Sequence, residues 1–176
     1  YYRLLSQGIG VVTCNKIACS SDLDNYKILQ KESIRGQVPF FYETNVGAGL
    51  PIIDTLKNLI DSGDSLNSIT AVLSGSLNFI FDTYNGSEPF ESIVRQAMTG
   101  GYTEPDPRID LSGLDVKRKL LILARESGYP LEIEDIKTAP FLPEKAANAT
   151  SIDAFLDALK ENESHFQSLF ESANSK

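Results

Sequence analysis

An α/β fold is predicted for this chain by three observations. Its first 43 residues alternate strand, helix and strand. Its later residues carry apolar side chains at helical spacing. The 176 residues, 41% hydrophobic and 23% charged, suit one globular domain or one domain with part of another. Short apolar strands joined through a helix are the pattern of a parallel sheet.

Each element has its own signal. Tyr1 to Ser6 reads as a helix end that closes near Gly8. Ile9 to Thr13 is a short β-branched run, a buried strand. Ser20 or Ser21 can cap a helix, with Asp22 and Asp24 in its first turn and Leu23, Tyr26, Ile28 and Leu29 as its apolar period up to Gly36. Pro39 to Glu43 reads as a second strand. Pro51 stands where a helix can begin, and Ile52, Ile53, Leu56, Leu59 and Ile60 continue one to Gly63. Ser68 to Leu73 is predicted as a strand, and Leu77 to Tyr84 as a helix. Phe90, Ile93, Val94 and Ala97 mark another helix, closed by Gly100. The strongest helical pattern runs from Asp115 to Glu126, with Val116, Leu120, Leu121, Leu123 and Ala124 facing inward and Gly128 ending it. Glu132 to Ile136 starts a further turn. Ser151 caps a helix to Leu159, His165 to Phe170 continues helical, and the last five residues read as frayed.

Composition excludes several functions. The net charge of −8 leaves no basic face for a nucleic-acid backbone. No apolar run approaches the ~20 residues of a membrane span. Cys14, Cys19 and the single His165 make neither a zinc site nor a disulfide framework, and two free thiols fit a reducing compartment.

The stretch that invites a chemical reading is Gly100 to Lys119, GGYTEPDPRIDLSGLDVKRK. Pro105 and Pro107 stiffen it, while Glu104, Asp106, Asp110 and Asp115 project carboxylates from it. Asp115 and Lys119 are four apart and share a helix face. They suit an exposed ion pair worth at most ~0.5 kcal/mol, or a lysine among acids that can donate a proton. Glu104 suits a solvated loop or a carboxylate that receives the ammonium or hydroxyl of a small substrate. Lys16, after Asn15, follows the carboxyl end of a strand, the edge where open α/β sheets bind ligands. Glu43 and the TNVGAGLP stretch lack phosphate-loop spacing. They suit a tight strand-to-helix turn, or a set of oxygens for a hard cation.

The stretch GYTEPDPRIDLSGLDVKRK closely resembles the signature of the homoserine dehydrogenases. TCNKIACSS, ETNVGAGLPI and LSGSLNFIF resemble further blocks of that family, in the family's order. LLILARESGYPLEIEDI is most similar to the members fused to aspartokinase. The resemblance covers nearly the whole chain. It implies NADP- or NAD-dependent reduction of L-aspartate 4-semialdehyde to L-homoserine, on the route to threonine, isoleucine and methionine. It also implies a homodimer or higher homo-oligomer, in the cytoplasm or, in a plant, the plastid.

By motif, the resemblance gives Lys119 the role of general acid and makes Lys16 a second active-site lysine near substrate and nicotinamide. Glu104, Asp110 and Asp115 become the acids that hold the amino acid and orient the lysines. Tyr102 and Ser76 line the substrate pocket, and Gly101 lies where backbone approaches the cofactor. Glu43, with the backbone of Val46, Ala48 and Leu50, matches a sodium site. The implied domains are the end of a Rossmann-type NAD(P) domain at 1–43 and a mixed sheet-and-helix catalytic and dimerisation domain at 44–176. The family's acidic pair is here Arg108-Ile109-Asp110, so only the second acid is present. The Gly-rich nucleotide loop is expected upstream of Tyr1, and closing strands of the substrate domain beyond Lys176. Two readings of another class stand beside this one: an acid-rich binding module without catalysis, and a dimerisation domain.

Overall fold

The computed structural model describes residues 1–175. In chain order, α1 is Tyr2–Leu5, β1 Val11–Val12, α2 Ile17–Ser20, α3 Leu23–Gly36 and β2 Phe40–Phe41. A 3₁₀ turn at Glu43–Asn45 leads to α4, Ile53–Asp61. Then come α5 Gly75–Thr83, α6 Phe90–Thr99, α7 Pro107–Leu111 and α8 Leu114–Glu126. A 3₁₀ turn at Ile133–Asp135 precedes α9 Glu144–Ala147, α10 Ile152–Glu161 and α11 Glu163–Asn174. The chain forms two compact units: Tyr1–Leu73 with Val116–Thr138, and Ser74–Asp115 with Ala139–Lys176. The functional boundary expected at 43/44 falls within the first of these. Among the described residues no helix is long and apolar enough to cross a membrane.

The first unit holds the α/β part. β1 and β2 pair in parallel, Val11 with Phe40 and Val12 with Phe41, joined through α2 and α3. A parallel pair needs such a crossover because the chain must return to the same end. The core gathers Leu5, Val11, Cys19, Leu29, Phe40, Tyr42, Val46 and Ile53 around Ile122 and Leu123 of α8. The inward positions of α8 thus include Ile122 and extend around the helix, since Arg125 and Glu126 are buried as well.

The second unit is helical among its described residues. Ile80, Phe90, Ile93, Val94 and Ala97 pack with Leu111, Phe155, Leu156, Leu159 and Phe166. Phe90 and Phe166 stack with centroids 4.0 Å apart. Ser151 accepts from the Ala154 amide at the start of α10, as its sequence position predicts. Glu163 links two segments: its carboxylate accepts from the Tyr84 hydroxyl and from the Phe90 amide.

Three local expectations are corrected. Residues 68–73 are not a strand; the β-branched side chains are present, but among the described residues no strand pairs with them, and a lone strand leaves its backbone bonds unmade. The cap of α3 is Asp22, not Ser20 or Ser21, because Ser20 closes the single turn α2. The Leu23 amide is instead received by Glu132, 109 residues away. Ser172 to Asn174 continue α11 rather than fray; Lys176 lies outside the described residues.

Candidate active site

The loop that precedes α7 is fixed by its own residues. Gly101 has φ +72°, and a side chain there would meet no atom within 4 Å. Glycine is therefore required by conformation, not by crowding, and the backbone is open on that side. Tyr102, half-exposed, stacks on Phe79 of α5 with centroids 4.1 Å apart. Asp106 caps α7 by accepting the Arg108 amide, and Pro107 takes the first helical position. The Arg108 guanidinium also bonds the Asp106 carboxylate and donates to the Ala149 carbonyl. Its hydrogen bonds hold the Asp106 carboxyl below the usual carboxylate range. Asp106 is thus a structural acid.

Asp110 is placed differently. One of its oxygens accepts the Ser76 hydroxyl at 2.8 Å, and the other accepts the Glu104 amide at 2.8 Å. A single carboxylate on α7 therefore ties the start of α5 to the rigid Glu104–Pro105 segment. Ser74 caps α5 through the Leu77 amide, so the hydroxyl of Ser76 leaves from an ordered first turn. Glu104 itself is exposed. Next to it, Thr103 Oγ1 is enclosed without a hydrogen-bond partner among the described residues. Ser76, 34 residues from Asp110, is brought to it and to the nearby Glu104 backbone; Tyr102 and Asp115 belong to the same unit.

Lys16 and Lys119 belong to the first unit. Lys119, partly buried on α8, donates to the Leu73 carbonyl at 2.7 Å. That carbonyl directs the ammonium without neutralising its charge. Lys16 heads α2, and its carbonyl receives the Ser20 amide and hydroxyl. The Asn15 side chain accepts the Ile17 amide, which fixes the turn from β1 into α2.

The Glu43 loop joins β2 to α4. Both Glu43 oxygens receive backbone amides, Ile53 at 2.8 Å and Asp54 at 2.8 Å. Glu43 therefore caps α4 from a distance, a role the sequence reading did not include. Gly47 and Ala48 both have positive φ, +82° and +52°. Ala48 is uncommon there, and two such residues in succession turn the backbone sharply. Leu50 is exposed, while Val46 and Asn45 are buried. Among the described residues no group of three or more His, Cys, Asp or Glu side chains could hold a metal ion; a site made of one carboxylate and backbone carbonyls is of another kind. Neither amide atom of Asn45, itself fully buried, has a hydrogen-bond partner among the described residues. The Cys19 thiol is a polar neighbour of this amide.

Sequence reasoning missed a polar centre in the first unit. Glu126, with its side chain 3% exposed, accepts the hydroxyls of Tyr26 at 2.6 Å and Tyr42 at 2.7 Å. Lys57 lies 3.5 Å from its other oxygen, and Gln30 donates to the Tyr42 hydroxyl. Burial, then the Glu126 charge, raises both phenols above their ordinary range, so they stay protonated donors. The same two causes push the Cys19 thiol up to about 12, which keeps it an unreactive core group. The available signal was the charged pair Arg125-Glu126 at the end of an otherwise apolar helical run.

Comparison with known proteins gives one consistent result. Residues 51–172 match the family model described as homoserine dehydrogenase. The chain is 46% identical over 159 residues to the maize bifunctional aspartokinase/homoserine dehydrogenase 2, chloroplastic, covering 90% of this chain and 17% of the relative. It is 46% identical over 173 residues to the bifunctional aspartokinase/homoserine dehydrogenase of Buchnera aphidicola, covering 98% of this chain and 21% of the relative. The chain thus spans about a fifth of the length of these curated relatives. A crystal structure of a Candida auris protein of unknown function superposes with a TM-score of 0.91 at 35% identity, over 98% of this chain and 50% of that one. A crystal structure from Archaeoglobus fulgidus, provisionally described as a homoserine dehydrogenase, gives a TM-score of 0.66 at 26% identity, over 91% of this chain and 47% of that one.

Proposed function

Because the chain belongs to the homoserine dehydrogenase family, we propose that the protein carrying it reduces L-aspartate 4-semialdehyde to L-homoserine with NAD(P)H. The observation that carries this reading is the Asp110 carboxylate, which fixes Ser76 Oγ and the Glu104 backbone in one constellation. Glu104 is left exposed, so its carboxylate is available to the substrate ammonium. Ser76 and Tyr102 are read as lining the same substrate subsite.

The cofactor, when bound, supplies the hydride to the aldehyde carbon. Negative charge then grows on the aldehyde oxygen, and a nearby ammonium both stabilises it and gives it a proton. Lys119 takes that role: its proton moves to the oxygen, which leaves neutral lysine and the alcohol of homoserine. The bond to the Leu73 carbonyl holds the ammonium in place before transfer. Asp115, on the preceding turn of α8, orients the lysine. Lys16, beyond the carboxyl end of β1, stands on the cofactor side, and the open backbone at Gly101 suits close approach of a ligand. Residues 1–43 are read as the end of the NAD(P)-binding domain and 44–176 as the catalytic and dimerisation domain.

The test is semialdehyde-dependent oxidation of NADPH or NADH by the intact polypeptide. Turnover above a no-enzyme control supports the reading, and none with either cofactor overturns it in favour of a non-catalytic binding module.

The Glu43 loop is proposed to hold a sodium ion through Glu43 and the carbonyls of Val46, Ala48 and Leu50. An all-oxygen set with one carboxylate suits a hard monovalent cation, and the positive-φ pair re-aims carbonyls within the loop. Glu43 would then serve the ion and the amides of α4 together. Replacing sodium by a bulky organic cation is expected to lower the thermal midpoint; an unchanged midpoint removes the ion from the site. A homodimer, fusion to aspartokinase, a role in threonine and methionine biosynthesis, and a cytoplasmic or plastid location complete the proposal. Sizing the intact polypeptide in solution tests the assembly.

A further inference from the structure

Arg125 is a heavily engaged charged side chain of the first unit. Its side chain is fully enclosed, at 0% exposure. One terminal nitrogen donates to the Cys19 carbonyl at 3.0 Å and to the Ser21 carbonyl at 2.7 Å. Nε donates to the Leu131 carbonyl at 3.0 Å, and the other terminal nitrogen pairs with Glu132 at 2.9 Å. Glu132 in turn receives the Leu23 amide, the first of α3. The guanidinium also lies over the Tyr26 ring, 5.3 Å from its centre.

The carbonyls chosen matter. Cys19 and Ser21 lie at the carboxyl end of α2, the single turn that Lys16 begins. Four residues cannot hold a helix by themselves, because nucleation costs more than one turn returns. The geometry of α2 is therefore imposed by what grips it. At one end Asn15 receives the Ile17 amide. At the other end Arg125 holds the last carbonyls, where a cation also suits the helix dipole. Arg125 stands on α8 about 9 Å of helix beyond Lys119. One rigid helix thus carries Lys119 and also fixes the turn that carries Lys16.

We propose that Arg125 is a positioning residue for the two lysines: its fork anchors α2 to α8 and so sets Lys16 relative to Lys119. The proposal rests on the reading of both lysines as active-site groups. A planar fork with fixed donors can serve two carbonyls, a third carbonyl and a carboxylate at once, whereas lysine, a point charge, cannot.

Arg125→Lys in the intact polypeptide tests it. The variant keeps the buried charge. The amides of Cys19 and Ser20 are expected to exchange with solvent at least about tenfold faster, with the central amides of α3 unchanged. Turnover, kcat, is expected to fall about ten- to a hundredfold, with KM within about threefold. In a Lys16→Met background the same substitution should lower the residual kcat less than about twofold, because the residue it positions is gone. Unchanged exchange in α2 overturns the proposal. So does a kcat loss of equal size in both backgrounds, which would mark a general folding defect. If Arg125→Lys does not fold, Glu132→Gln loosens the guanidinium without removing it. The same pattern at about threefold is then expected, and its absence overturns the proposal. If the parent polypeptide shows no semialdehyde reduction, the functional reading fails by itself, and the exchange measurement still decides whether Arg125 holds α2.

Discussion

Lys119→Ala in the intact polypeptide is expected to lower the proposed semialdehyde reduction by about 10³-fold or more, with the fold retained. The magnitude combines a lost proton donor, about 10²–10⁴-fold, with a lost positive charge at the developing oxyanion, about 3–4 kcal/mol. The two effects overlap because one group supplies both, so they do not multiply. The fold is expected to survive because Lys119 is only partly buried, and water can satisfy the Leu73 carbonyl it serves after truncation. The loss falls in kcat, since the interaction strengthens only as charge develops. Lys119→Arg separates the two contributions: it restores a cation that does not release its proton, and it should recover only part of the loss. Steady-state NADPH oxidation beside a circular-dichroism melt checks this. Turnover within threefold of the parent, in a folded Lys119→Ala variant, would remove Lys119 from the chemistry.

Asp110 carries the second large effect. Asp110→Ala deletes the acceptor of both Ser76 Oγ and the Glu104 amide. Two candidate substrate groups then lose their common anchor, and kcat/KM is expected to fall about 10²-fold. Asp110→Asn is the informative partner. Its amide oxygen can still accept the Glu104 N–H, while its NH₂ donates to Ser76 Oγ once that hydroxyl turns to accept. Geometry is kept and charge is lost, so the expected fall is less than about tenfold. Equal damage from Asn and Ala would show that the negative charge meets the substrate ammonium directly. Measuring kcat/KM for the three proteins decides between these roles.

Much of the local structure was readable from residue order. Apolar spacing placed α4, α6, α8 and α10, and Ser151 identified a cap, because helix periodicity and capping are properties of neighbouring residues. The strand–helix–strand pattern correctly located β1, α3 and β2. The candidate residues were found because GYTEPDPRIDLSGLDVKRK is too long and too specific to arise from packing needs alone. It also resembles one family, and the comparisons place the chain in that family.

What sequence order left open is what depends on residues distant in the chain. Residues 68–73 have strand-like side chains, yet a strand exists only where a partner offers its backbone, and no local signal encodes that partner. Glu43 was readable as an oxygen donor; that both its oxygens hold the amides of Ile53 and Asp54 depends on how the loop folds back. Asp110 was readable as an acid, and only packing brought it to Ser76, 34 residues away. Arg125 and Glu126 would pass for a surface pair, since charged residues are mostly exposed. Tertiary structure buries both, because Tyr26, Tyr42 and Glu132 and the carbonyls of Cys19 and Ser21 supply the partners that make enclosure tolerable. Sequence alone therefore determined which chemical groups this protein carries and which short elements bear them. Tertiary structure decided which of those groups meet, because hydrogen bonds and burial act over ångströms in space and are blind to distance along the chain.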